Sequence, residues 1–230
     1  MTEVASQAPE VEKTEHLVVG TRLMTPWVVL NAVGLALGLA AWGGINRAVM
    51  EPFYGAGYLS AIEAARIQAT GNGAAMAAFG AILGTAQWLV LRQVLRAGWW
   101  VPATLAGWTF LGIVLGFSAG GSTSTIGPAG GPLPGLVAIV IVPLVFVLVG
   151  VGQWLILRRE ATGAEGWLVV NVGSLVAAGL LGLLAAKLLP WIAGTSYPSA
   201  RALAVAGLVG GPLYGWLTWQ FLAGLRRRAA

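Results

Sequence analysis

The amino-acid sequence predicts an all-α polytopic integral membrane protein with six transmembrane helices, built from three parallel two-helix repeats. Three observations predict it. Of the 230 residues, 57% are hydrophobic and 9% charged, where a soluble domain carries roughly 25% charged residues. Six apolar stretches are long enough to cross about 30 Å of hydrocarbon at about 1.5 Å of helical rise per residue. The ends of the second and fourth stretches also share one sequence pattern.

Residues 1–24 are polar, with Glu3, Glu10, Glu12 and Glu15 and the chain's one histidine, His16. They lack the basic start and short apolar core of a signal peptide and read as a cytoplasmic tail. The membrane domain occupies 25–226, with spans near 26–45, 73–91, 99–118, 135–157, 167–187 and 202–225, none charged in its central part. These runs are too long for membrane strands and lack their alternation. Between the first two spans, Tyr58–Thr70 reads as a short interfacial helix pairing Glu63 with Arg66, in a loop that also holds Glu51 and Tyr54. Residues 119–134, rich in Gly, Ser and Pro, read as an irregular loop, and 188–200 as a connection carrying Trp191 and Tyr197. These outer connections are candidates to cap a pocket, but ordinary exposed loops are the simpler reading. Residues 227–230 form a basic cytoplasmic end.

Lys and Arg set the orientation. Lys13, Arg22, Arg92, Arg96, Arg158, Arg159 and Arg226, Arg227 and Arg228 fall on one side, and Arg47, Arg66, Lys187 and Arg201 on the other. The richer side is cytoplasmic, which puts both termini there. The net charge of +5 thus reports topology, and nucleic acid is not an expected partner. Trp27, Trp88, Trp100, Trp154 and Trp167 are expected as headgroup-level anchors together with Arg92, Arg158 and Arg159. Trp99, Trp216 and Trp219 lie near the same ends, Trp42 and Trp191 lie near the others, and Trp108 reads as a packing residue.

The repeat is carried by G-x-x-Q-W-L-[VI]-L-R, present as Gly84 to Arg92 and again as Gly150 to Arg158. A weaker echo stands at Gly215-Trp216-Leu217. Each odd span opens on Trp followed by small or branched residues (Trp27, Trp100, Trp167), with Asn31, Thr104 and Asn171 four residues later. The hairpin unit therefore recurs at about 26–92, 99–159 and 166–226. Two helices restore the starting orientation, so the repeats are parallel and imply a pseudo-threefold arrangement about the membrane normal. Glycines four apart at Gly34/Gly38, Gly80/Gly84, Gly112/Gly116/Gly120 and Gly207/Gly211/Gly215 point to close helix packing, within the chain rather than between copies.

Gln87, Gln153, Asn31, Thr104 and Asn171 are the candidate polar contacts inside the spans. An amide in an apolar medium needs partners, either a ligand carbonyl or other helices. Interhelical bonding is the simpler expectation for the glutamines, and bonding to nearby backbone carbonyls for the other three. The chain has no Cys, no Asp and no His within a span. That speaks against haem or chlorophyll held by intramembrane His, Cys-ligated metal centres, and membrane proteases with a Ser/His pair, a metal motif or paired Asp. Ion-coupled transport usually places charge in the bundle, and Lys187 is poorly placed for a retinal Schiff base. No catalytic residue, metal or resident cofactor is expected.

The hairpins ending G-x-x-Q-W-L-x-L-R and followed by G-W-[WL]-V resemble bacterial multi-span membrane proteins that repeat such a motif. The likeness covers helices 2 to 5 and part of helices 1 and 6. It implies repeated helical hairpins in a bacterial inner membrane and no particular activity. Three two-helix repeats are also similar to the mitochondrial carrier architecture, but that family's P-x-[DE]-x-x-[KR] signature is missing. The functional expectation is a non-catalytic accessory or scaffold subunit of an inner-membrane complex, respiratory or photosynthetic. Its partners would be lipids and other integral membrane subunits, with lipid, carotenoid or quinone held by apolar contact. The alternatives are a small-solute-binding component similar to those of energy-coupling-factor importers, and a lipid-binding protein.

Overall fold

The computed structural model describes residues 21–53, 60–123, 133–188 and 200–227. The N-terminal tail up to residue 20, much of the three outer connections (with Tyr54, Tyr58, Trp191 and Tyr197) and the last three residues lie outside the described residues. The described chain is helical: α1 (Met24–Met50), α2 (Ala61–Leu91), α3 (Trp100–Thr123), α4 (Leu133–Glu160), α5 (Trp167–Leu188) and α6 (Ala200–Ala223). A departure from pure helix is a two-residue antiparallel bridge, β1 (Ala161–Thr162) with β2 (Arg226–Arg227), which ties the α4–α5 connection to the end of α6.

Among the described residues, α1, α2, α3, α5 and α6 are long and apolar enough to cross a membrane. Side chains of α4 are not described over residues 133–143, so the count of five concerns the described residues.

The expected interfacial helix at Tyr58–Thr70 is not a separate element. Residues 61–70 form the start of α2, which runs on for 31 residues. A capping box starts it: Ser60 Oγ accepts from the Glu63 backbone N–H, and the Glu63 carboxylate accepts from the Ser60 N–H at 2.9 Å and its hydroxyl at 2.6 Å. Gly71 and Gly73 weaken the helix locally, but packing keeps it continuous. Gly112 and Gly116 of α3 lie against the backbone of Asn72, Gln68 and Ala69, with no room for a Cβ.

The helices follow chain order around a closed ring. Each packs against its chain neighbours, and α6 returns to α1. Small residues permit the close approaches, since lipid offers no hydrophobic drive between helices. A Cβ on Gly207 would meet the Ala36 nitrogen at 2.5 Å, one on Gly215 would meet Val28 Cα at 2.9 Å, and one on Gly80 would meet Leu105 Cα at 3.0 Å.

Two apolar clusters fill the ring. At the end where α2, α4 and α6 finish, Trp27, Trp100, Trp167, Leu91, Leu157 and Leu222 pack together, with the rings of Trp100 and Trp167 edge to face at 5.8 Å. Deeper in the bundle, Phe79, Leu83, Trp108, Leu111 and Tyr214 form the second cluster, and Trp108 meets Phe79 edge to face at 4.5 Å.

Candidate functional site

Between the two clusters lies a buried polar network. Helical spacing of four residues puts two side chains on one face, so each odd helix turns an indole and a polar group inward together: Trp27 with Asn31, Trp100 with Thr104, and Trp167 with Asn171. The even helices bring Gln87, Gln153, and the Tyr214–Thr218 pair to the same level. All of these residues are buried.

Gln87 uses its full hydrogen-bonding capacity. Its Nε2 donates to Asn31 Oδ1 at 2.9 Å and to the Tyr214 hydroxyl at 3.2 Å. Its Oε1 accepts from the Trp100 indole at 2.9 Å and from Gln153 Nε2 at 3.4 Å. Gln153 also donates to Thr104 Oγ1 at 3.0 Å and accepts from the Trp167 indole at 3.3 Å. The Tyr214 hydroxyl donates to Asn171 Oδ1 at 2.7 Å. Thr218 donates to the Tyr214 and Gly215 carbonyls, leaving its oxygen free to accept the Trp27 indole N–H at 3.0 Å.

A cyclic rule emerges from these contacts. The indole opening each odd helix donates to a polar side chain on the even helix before it around the ring: Trp100 to Gln87, Trp167 to Gln153, and Trp27 to Thr218. Chemically the cluster is made of neutral amides, indoles and hydroxyls, and most of their capacity is met by one another. It can fix helix rotation and register. A buried donor left over is Asn171 Nδ2, with Trp154 Nε1 orphaned nearer the bundle end.

All five sequence candidates meet in this network. Of the three expected to bond to backbone carbonyls, Asn31 does so, donating to the Trp27 carbonyl at 2.8 Å, while its oxygen accepts from Gln87. Thr104 and Asn171 accept from side chains of other helices. Tyr214 and Thr218 were missed. Their signal is present: Gly215-x-x-Thr218-Trp219 keeps the G-x-x-Q-W spacing with Thr for Gln, a better register than the Gly215-Trp216-Leu217 echo.

The expected headgroup anchors divide. Trp27, Trp100 and Trp167 are wholly enclosed by protein, because their indole N–H groups point into the network instead of toward lipid. Trp88 and Trp154 are half-buried, with the guanidinium groups of Arg92 and Arg158 stacked over their rings at 4.9 and 4.7 Å. Arg159 is exposed beside them. Among the described tryptophans, the most open to the surroundings are Trp99, 72% exposed, and Trp216, 48% exposed. In comparisons with protein-family models, with curated proteins and with solved structures, the chain matches none.

Proposed function

We propose that the chain is a six-span scaffold of three parallel helical hairpins in a bacterial inner membrane, with both termini cytoplasmic. In this reading it acts as a non-catalytic accessory subunit of a larger complex, respiratory or photosynthetic. The observation that carries it is the cyclic indole bonding: most of the hydrogen-bonding capacity of the intramembrane amides goes into locking the helices to one another. Little capacity is left for a polar solute among these described residues, which supports the scaffold reading over the importer-like alternative. The outward surface is apolar, with Leu180, Leu183, Val169 and Phe117 exposed on it. Large apolar surfaces suit contact with lipid or with other membrane subunits.

Extraction from native membranes in mild detergent, followed by mass spectrometry of proteins and small molecules, tests this. A stoichiometric set of larger membrane subunits is the expected result. A lone protein carrying a defined polar solute would overturn it in favour of a solute-binding component.

A further inference from the structure

We infer that the groove between the outer halves of α2 and α3 seats one acyl chain of an anionic phospholipid, with its phosphate on Arg66. The inference rests on the membrane-spanning reading above. The groove has a volume of about 360 Å³, and Ala74, Ile113 and Phe117 along it are exposed. Gly73, Ala74 and Ala77 of α2 line it together with Ile113 and Phe117 of α3. Gly73 lets α3 approach closely here, since Ile113 Cγ1 lies 2.9 Å from where a Cβ would sit.

The chemistry of the lining selects the occupant. Two hydroxyls border the groove, but both are engaged by their own helices: Thr70 donates to the Arg66 carbonyl at 2.9 Å and Thr109 to the Leu105 carbonyl at 2.8 Å. What the groove offers along its length is therefore apolar. Its charged group is Arg66, at one end and exposed. The nearest acid along the helix, Glu63, feels the Arg66 charge, but its hydrogen bonds among the described residues go to Ser60, so the guanidinium N–H groups remain available to an anion. One cation at the mouth of an apolar furrow matches a molecule with an anionic head and an apolar tail.

The depth agrees. Arg66 on α2 and Arg92, which caps its C-terminus, stand about 39 Å apart at helical rise, close to the roughly 40–45 Å between the outer edges of the two headgroup regions. With Arg92 at one headgroup level, Arg66 reaches the other. Ala77 lies about 16 Å further in than Arg66, near the midplane of a core about 30 Å thick. The groove thus spans one leaflet, from headgroup to chain end.

The test is native mass spectrometry of the full chain, purified in mild detergent and equilibrated with equal amounts of phosphatidylglycerol and phosphatidylcholine. The wild type is expected to retain one phosphatidylglycerol with about fivefold preference, the scale of one Lys or Arg acting on anionic lipid. Arg66→Gln abolishes the preference, Ala74→Leu lowers retention of both lipids, and Arg47→Gln, removing a charge at the same end but outside the groove, changes neither. Equal retention of the two lipids by the wild type, or equal losses in Arg66→Gln and Arg47→Gln, overturns the groove inference alone. A chain that stays monodisperse in buffer without detergent would instead overturn the membrane reading on which it rests.

Discussion

Trp27, near the start of α1, donates its indole N–H to Thr218, near the end of α6, at 3.0 Å across 191 residues of chain. This bond closes the ring between its first and last helices, and both partners are wholly buried. The same donor type meets an amide oxygen at the α2–α3 and α4–α5 boundaries. Thr218 takes the place in α6 that Gln87 and Gln153 hold in α2 and α4, and its hydroxyl accepts the same type of bond.

Replacing Thr218 by Val keeps the shape and removes the acceptor. The Trp27 N–H then has no partner, at a cost of about 1 kcal/mol, within the range for an orphaned buried donor and for interhelical bonds in membranes. Thr218→Ser keeps the hydroxyl and should stay closer to wild type. Denaturation by SDS from mild detergent measures both. Equal stability of the Val and Ser variants would remove the bond from the account of ring closure.

Gln87 and Gln153 share one hydrogen bond, so their substitutions should couple. Each change to Leu orphans an indole donor, Trp100 or Trp167 respectively. The double variant, which removes both sides of the shared contact, should be less destabilised than the sum of the singles by about 0.5 kcal/mol or more. A double-mutant cycle in the same denaturation assay reads this. Strict additivity would mean that the two amides act independently.

The positions of Gln87, Gln153, Asn31, Thr104 and Asn171 were legible because polar groups stand out in apolar helices and recur at fixed spacing. Which of them would meet was not legible. These helices are apolar on every side, so hydropathy does not say which face turns inward, and an indole near a helix end looks the same whether it faces headgroups or protein. Trp27, Trp100 and Trp167 therefore read as anchors until their partners were in view. Tyr214 and Thr218 were hidden because α6 carries Thr at the position where α2 and α4 carry Gln. The first ten residues of α2 read as helix, but their continuity with the span was hidden for another reason: Glu63 and Arg66 mark that stretch as polar, while the close fit of Gly112 and Gly116 that extends the helix through it comes from a different part of the chain.

Glycine substitutions separate packing from helix propensity. Gly211 faces Ala32 so closely that a Cβ would overlap the α1 backbone, whereas a Cβ on Gly179 meets nothing within 4 Å. Gly211→Ala should force α1 and α6 apart, costing about 1–3 kcal/mol as overpacking does. Gly179→Ala should be neutral or stabilising by up to about 1 kcal/mol, the helix preference of Ala over Gly. Thermal unfolding in detergent compares them, and a Gly211→Ala protein as stable as Gly179→Ala would contradict the α1–α6 contact.

Tryptophan exposure predicts fluorescence quenching. Trp99 and Trp216 are open to the surroundings, while Trp27, Trp100 and Trp167 are enclosed. In vesicles containing brominated lipid or an aqueous quencher, Trp99→Phe and Trp216→Phe should each remove more of the quenchable emission than Trp100→Phe. Greater loss from Trp100→Phe would place that ring at the headgroups after all.

The closed ring also makes the position of the chain ends arbitrary. α1 begins and α6 finishes at the same end of the bundle, as the Trp27–Thr218 bond requires, and residues on either side of these helices are numerous enough to link them. Joining Ala230 to Met1 and opening the chain between Gly98 and Trp99 starts the protein at α3 and finishes it at α2. Both cut residues are exposed, and a Cβ on Gly98 would meet nothing within 4 Å, so the cut removes little packing. An even number of helices still precedes and follows the new junction, so every helix keeps its direction. The permuted chain should be monodisperse in detergent and unfold within a few degrees of wild type, about the shift expected for a change near 1 kcal/mol in a domain of this size. A second permutant, opened inside α3 between Gly107 and Trp108, should fail to fold, because Gly107 packs against Val149 and Trp108 against Phe79. If both permutants misfold alike, α1 and α6 are not held together as the cyclic bonding requires; if only the second does, the hairpins are interchangeable starting points of one ring.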